Sequence, residues 1–569
     1  MRRRSQRFIA LALLPAALIR PAGAEQQPAP DCSKTHAGNR TDEAIGVADA
    51  AGDMRVFAVQ YRQEISHAAS YESYRLKMEC LLLDYVKPNL SATVPNVVVL
   101  NEDIGLATLG LGTRGLIART VAAGPVKDPQ NLLGAIAAFG GVGVSYAPQI
   151  AYYAIQEPMT SAQRLILAAV TDTMVRAFMH TFSDLARKYD VYIVASNNQA
   201  EFREVRVADS PTSALLIDPD LLPRYLTGEL STVYEAVDSG GAGFPDDQGD
   251  GAGGINVHNK AFMWSPNDGV EPYAQKRFAQ FALDGVITPA DPRSNLVAVT
   301  KKTPITSIER MLLDLTDDND MTLENTGPFP LPGEGSPTHP LPAETRIGFG
   351  ISLPAFEWGN DFGQAFPGDG CADRTTWMRC LDQRGVNVFL QPEANPGCCW
   401  VDYIDLGWHP HAWQALSWMD SAWRAVADPS VHNIRYAVTP HMVGNLIDLA
   451  FDGQSVIFER CQIGGTDTCA GNVPSAFVGA KDFIPCVPDP AADAPCDDPK
   501  LLAYAGLENE TIVMAPWVLA DDPTLDAVAN RARLTERGHA MLAGAGGEFE
   551  NGYLETALWA DLDLDAPAS

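Results

Sequence analysis

The chain has 569 residues, with 41 Lys and Arg against 71 Asp and Glu, a formal net charge of −30. That balance argues against nucleic acid and anionic membrane surfaces as partners. The length allows two to four domains, or one long domain carrying inserts.

The sequence opens Met1-Arg2-Arg3-Arg4, runs apolar from Phe8 to Ile19, and reaches Ala22-Gly23-Ala24. A basic start, a short apolar centre and a small-residue site read as a signal peptide over 1–24. The apolar run is short for a bilayer span. Its removal takes away five arginines and no acid, moving the charge to −35. The expected location is periplasmic or secreted. All ten cysteines lie beyond this segment. In an exported chain they read as disulfides, and no paired C-x-x-C spacing suggests zinc. Cys461 with Cys469 and Cys486 with Cys496 are expected as local staples. Cys371, Cys380, Cys398 and Cys399 form a second group, which leaves Cys32 and Cys80. Neither a metal nor a cofactor is expected.

Residues 25–52 read as a polar arm. Met54 to Gln60 suits a first core strand. Tyr74, Leu76, Met78, Leu81 and Leu82 predict a helix over 71–86, which Pro88 ends. Asn96 to Glu102 is an apolar strand closing on a carboxylate. Residues 105–165 are Gly- and Ala-rich and long for a connection. They read either as a lid over a site or as extra helices on the core. A helix over 171–188 precedes a strand over Val191–Ala195. In the 237–254 loop, Asp246, Gln248 and Asp250 imitate the start of a calcium loop, but its twelfth position is Val257, so no metal is assigned. Val257 to Trp264 is another apolar strand.

Asn295 to Lys302 is a strand that closes on two lysines. Residues 315–343 are loop. Arg346 to Ser352 is a buried strand closing on a hydroxyl, and 385–393 is a strand that runs into Glu393. His409 and His411, beside Trp408 and Trp413, read as pocket or core residues. Residues 434–458 predict two strands around Gly444-Asn445. Thr511–Leu519 and Leu554–Leu562 are candidate closing strands.

Three strands thus end, in chain order, in Glu102, a lysine, and Ser352. Amide hydrolysis needs a base, a nucleophile and support for the oxyanion. The order resembles the carbon-nitrogen hydrolase (nitrilase) superfamily, as do the LARKYDVYIVAS step, the 257–264 strand and the 434–458 pattern with Gly453 and Ser455. The resemblance implies an α/β fold, a four-layer α-β-β-α sandwich, over residues 53–460. It implies long loop inserts and a disulfide-rich extension over 461–569 that completes or flanks the sandwich. It also implies Glu102 as base, a Lys at the oxyanion, and Ser352 where the family carries Cys.

Strand alternation sends Lys301 and Lys302 to opposite faces. Lys301, with Pro304 and Glu309 after it, has the aliphatic-amidase spacing. It is the expected buried partner of Glu102, with Glu309 nearby and Lys302 exposed. Lys302 fits a different spacing through Ile305. A serine hydroxyl is far less acidic than a thiol and needs a well-placed base. The expected partner is a small-molecule amide or nitrile. The alternative is an inactive relative that binds a small amide or acyl ligand. A homo-oligomer is possible in either case.

Overall fold

The computed structural model describes residues 30–36, 39–122, 133–210, 212–238, 254–394, 414–446, 449–451, 453–463, 466–467, 510–516 and 553–564. Met54–Gln60 is buried along nearly its whole length. It sits inside a mixed sheet in the order Asn39–Arg40, Leu554–Leu562, Met54–Gln60, Asn96–Val99, Tyr192–Ala200, Val257–Trp264, Leu296–Lys301. Ile45–Val47 also pairs with the Leu554–Leu562 strand. The Met54, Asn96 and Tyr192 strands run parallel, whereas Val257–Trp264 is antiparallel to both of its neighbours.

A second sheet takes the order Ile347–Phe349, Val388–Leu390, Tyr436–Thr439, Val456–Glu459, Thr511–Met514. Its first three strands are parallel and in direct register, Phe349 opposite Leu390 and Leu390 opposite Val438. Successive side chains of a strand point to opposite faces, and here the two faces enter different cores. Ile347, Phe349, Val388, Leu390, Val438 and Ile457 join Val56, Val97, Val99 and Val194 of the first sheet. Phe389, Ala437, Val456 and Phe458 instead pack with Trp377, Leu381, Met419 and Trp423, which come from helices Trp377–Gln383 and Gln414–Ala427. On the outer side of the first sheet lie Tyr74, Met78, Phe182 and Leu185, from helices Tyr71–Leu81 and His180–Tyr189. Two sheets face to face, each covered by helices, make the expected four-layer α-β-β-α sandwich. Gln60 ties the layers: its Nε2 donates to the carbonyls of Pro516 and Leu554, and its Oε1 accepts from the Ser455 amide.

Several elements depart from expectation. The 71–86 helix is α-helical to Leu81 and then makes a π turn over Leu82–Val86. The 171–188 helix is likewise interrupted by a π turn, at Val175–Met179. The strand expected at Val191–Ala195 reaches Ala200, because Asn197, Asn198 and Gln199 find antiparallel partners on the Val257 strand. Residues 434–458 form four short strands rather than two. The outer pair, Tyr436–Thr439 and Val456–Glu459, lies in the second sheet. The inner pair, Val443–Leu446 and Leu449–Phe451, packs on Arg62–Gln63. Gly444 is therefore in a strand and not at the turn; its φ is +94°, and a Cβ there would sit 2.9 Å from the Gln63 carbonyl oxygen. Of 105–165, the described parts are helices around a separate apolar cluster that includes Tyr146, Tyr153, Leu167 and Val170. The late strand Leu554–Leu562 lies within the first sheet, antiparallel to Met54–Gln60.

Disulfides join Cys32 to Cys80 and Cys371 to Cys380. Cys461 is also disulfide-bonded. The expected staples with Cys469, and between Cys486 and Cys496, fall outside the described residues, as do Cys398, Cys399, His409, His411, the 246–250 loop and the signal peptide. No single described helix is long and apolar enough to cross a membrane.

Leu390 is fully buried between the sheets, three residues before Glu393. Leu390→Ala is expected to cost about 2–5 kcal/mol of stability, from lost transfer energy and the cavity left behind. Urea denaturation checks this; a loss below about 1 kcal/mol would mean that the sheets do not pack there as described.

Candidate active site

The Asn96–Val99 strand delivers Glu102 two residues beyond a backbone bond from the Leu100 amide to the Val194 carbonyl. The Glu102 carboxyl is almost fully buried. Its Oε1 accepts from Lys302 Nζ at 2.7 Å and from Asn259 Nδ2 at 2.7 Å. Its Oε2 accepts from the Ala394 amide at 3.1 Å, which links the first sheet to the end of the Val388 strand in the second.

Lys302 follows the Leu296–Lys301 strand, and its amide still donates to the Asn259 carbonyl. Its ammonium also lies 2.9 Å from Glu309 Oε2. Glu309 is placed by a helix start: Thr306 caps helix Ser307–Leu313, and Glu309 closes the capping box. Glu309 Oε2 accepts from the Thr306 amide at 2.7 Å, and Oε1 from Asn259 Nδ2 at 2.8 Å. Asn259 therefore bridges the two carboxylates.

The lysine expectation is corrected here. Lys302, not Lys301, is the partner of Glu102 and Glu309. The two lysines do point in opposite directions, as alternation requires, but neither is exposed. Lys301 is held 3.0 Å from Asp318 and 2.7 Å from Asp320, acids of the 315–343 loop that folds back over that face. His258 reaches the same Asp318 at 3.2 Å. The lysines share a strand end, so spacing to Glu309 alone does not choose between them.

Ser352 lies three residues beyond Phe349 and is buried. Its φ is +58° and ψ −112°, a left-handed conformation that costs a non-glycine residue about 1–3 kcal/mol. Its hydroxyl is within reach of the Glu393 carboxyl, whose ionised form it favours. Glu393 is fully buried; its Oε1 accepts from Gln391 Nε2 at 2.6 Å. Two residues beyond the Tyr436–Thr439 strand, His441 pairs directly with Glu393, in parallel. Sequence reading assigned no role to Glu393, Asn259, Asp103 or His441. Glu393 had a usable signal, an acid closing an apolar strand, which is the same signal that marks Glu102.

The site titrates unevenly. Burial raises the Glu102 pKa, with Lys302 opposing and Glu309 adding to the rise. Burial also works against the Glu309 carboxylate, but Lys302, Asn259 and the Thr306 amide outweigh it, and that pKa is lowered. Lys302 stays protonated because Glu102 and Glu309 outweigh its burial. Burial, then the Glu102 charge, push Glu393 well above the usual carboxylate range. Asp103, at φ +57°, is raised well by burial and by the same acids. Burial lowers His441 to about 3, so its ring is neutral. One ammonium among four carboxyl groups cannot compensate them all, and the site holds protons instead.

No protein-family model and no curated protein sequence matches the chain. Among solved structures it is similar to an amidase from Nesterenkonia sp., with 11% identity and a TM-score of 0.29, covering 73% of this chain and 86% of that one. A cysteine-to-serine variant of the Nesterenkonia AN1 amidase from the nitrilase superfamily gives 10% identity and a TM-score of 0.28 over 72% and 85%. A carbon-nitrogen hydrolase from Helicobacter pylori G27 gives 11% and 0.32 over 73% and 83%. What this site can do is read from its own atoms.

Glu393 gives a signed pH prediction. Its folded-state pKa is raised, so above about pH 4.3 the unfolded chain releases a proton that the fold retains. Its contribution to stability therefore falls as pH rises, until the folded pKa is passed. Glu309 has the opposite sign: its stabilisation is present at neutral pH and lost in acid. Glu393→Gln mimics the protonated acid. It is expected to match wild type near pH 4 and to gain on it towards pH 7, by about 1.4 kcal/mol for each pH unit the shift spans. Urea unfolding between pH 4 and 8 measures this. Parallel profiles for the two proteins would contradict it.

Proposed function

We propose that this chain is an exported carbon-nitrogen hydrolase that cleaves a non-peptide amide or a nitrile. The observation that carries the reading is the buried Glu102–Lys302–Glu309 cluster, within electrostatic reach of the same Glu393 carboxyl that Ser352 approaches. In this reading Glu102 is the general base, Lys302 supports the oxyanion, and Ser352 is the nucleophile. Glu309 and Asn259 hold Lys302 and Glu102 in place. The Ser352 Oγ attacks the carbonyl carbon while its proton passes to Glu102. Charge developing on the carbonyl oxygen is met by the Lys302 ammonium in a water-poor setting, where such support is strongest. The C–N bond then breaks, and water hydrolyses the resulting ester. The Cys32–Cys80 and Cys371–Cys380 disulfides support an oxidising compartment.

A second reading is a binding protein that retains the pocket without turnover. The serine itself favours it, because a hydroxyl is a weaker nucleophile than the thiolate it would replace.

Purified protein assayed on a panel of small amides and nitriles separates the two. Glu102→Gln is expected to lower kcat/KM by about 10²–10⁴-fold. Lys302→Met is expected to abolish turnover and to cost about 3–5 kcal/mol of stability, since it leaves buried carboxylates unpaired. Ser352→Cys is expected to raise amide turnover. If neither wild type nor Ser352→Cys turns over any substrate, the binding reading stands and the hydrolase reading falls.

A further inference from the structure

Phe349, Leu390 and Val438 stand in one row across three parallel strands. Three residues beyond that row, in strand order, come Ser352, Glu393 and His441. Glu393 thus lies beyond the end of the central strand, between the segments that carry Ser352 and His441. The pairing of Glu393 with His441 is direct and parallel, which puts both side chains on one face. Among the described residues, Glu393 Oε2 has no hydrogen-bond partner, and neither ring nitrogen of His441 has one. The Glu102 carboxyl is tied to the amide of the residue after Glu393. The Glu102 carboxyl therefore reaches the end of the strand that carries Glu393, and the two carboxyl groups differ in setting. Glu102 has an ammonium, an amide side chain and a backbone N–H around it. Glu393 has one Gln391 contact and the Ser352 hydroxyl.

We propose that Glu393 is the general acid of this site, giving its proton to the amine nitrogen that departs beside Ser352. The proposal rests on the hydrolase reading above and divides its acid and base between two residues. In acylation, the Ser352 Oγ–carbon bond forms and the Ser352 proton goes to Glu102. As the C–N bond breaks, its electron pair goes to nitrogen, which takes the proton of Glu393. The amine leaves neutral and Glu393 is left as carboxylate. In deacylation, water adds its hydroxyl to the acyl carbon and its proton to Glu393. The Glu102 proton returns to the Ser352 Oγ as the ester bond breaks. Pairs of acids whose environments separate their titrations are suited to such a division. Among the described residues, the groups around Glu393 are Glu102, Lys302, Ser352, Gln391 and His441. His441 is neutral, so it offers no positive charge that would ionise Glu393 early.

The test compares two substrates with one acyl group: an alkylamide, whose leaving group needs a proton, and an ester of an acidic phenol, whose leaving group does not. Glu393→Gln is expected to slow single-turnover acylation by the amide about 10²–10⁴-fold and acylation by the ester, read as the phenol burst, by less than about threefold, while deacylation, in which Glu393 takes the proton of water, slows on both. Glu102→Gln is expected to slow acylation by both. In wild type, kcat on the amide is expected to fall at alkaline pH while kcat on the ester does not. Equal losses in acylation by both substrates in Glu393→Gln, or a wild-type amide profile with no alkaline fall of its own, overturn the proposal and leave the hydrolase reading standing. Absence of all turnover in wild type and in Ser352→Cys overturns the hydrolase reading, and this proposal with it.

Discussion

One buried ammonium organises the centre of this protein. An isolated ion in a protein interior is costly, and a buried pair is tolerated only when its remaining hydrogen-bonding positions are also filled. Lys302 meets that condition through Glu102 and Glu309, with Asn259 spanning both carboxylates and the Thr306 backbone closing the shell. All of these groups but Asn259 sit where secondary structure begins or ends. Lys302 and Glu102 follow strands, Glu309 starts a helix, and Asn259 lies within the strand to which Lys302 is still hydrogen-bonded. The Ala394 amide extends the cluster into the second sheet. The relative placement of the two sheets is therefore fixed at the same point where charge is compensated.

The second sheet was legible because alternate residues of its strands divide between two cores, whereas Asn96–Val99 of the first sheet is apolar throughout. Val388 and Leu390 face the first sheet, while Phe389 faces the helices. Strand ends were legible for a related reason. A polar residue that closes an apolar run emerges where the sheet stops, and Glu102, the Lys301–Lys302 pair and Ser352 were all singled out this way. The choice between Lys301 and Lys302 was not legible, because it depends on acids that return from the 315–343 loop. Asp318 and Asp320 make burial of Lys301 tolerable, and nothing near Lys301 in sequence announces them. The 434–458 segment was misread for another long-range reason: Gly444 is accommodated by the Arg62–Gln63 backbone, some 380 residues earlier.

Glu393 shows how a local signal goes unused without its neighbours. It closes an apolar strand as Glu102 does, yet in sequence it stands 41 residues from Ser352 and 48 from His441. Only the parallel register of three strands aligns them. The left-handed backbone of Ser352 belongs to the same arrangement. The chain turns sharply there into a short helical turn at Leu353–Phe356, with the Ala355 amide bonded back to the Ser352 carbonyl.

The Leu554–Leu562 strand carries a consequence for how the chain is made. Met54–Gln60 is synthesised early, but one of its two edges is filled only by this late strand. The closure is reinforced by Lys77 on Glu555 and by Arg55 on Asp561, each joining residues more than 470 positions apart. A nascent chain therefore presents an incomplete sheet with an open edge until the Leu554–Leu562 strand is out. Contacts that distant in sequence form slowly, and unpaired edges of this kind invite aggregation. The order of translation thus delays closure of the first sheet until the Leu554–Leu562 strand has been made, and it places the greatest demand on chaperones before that point.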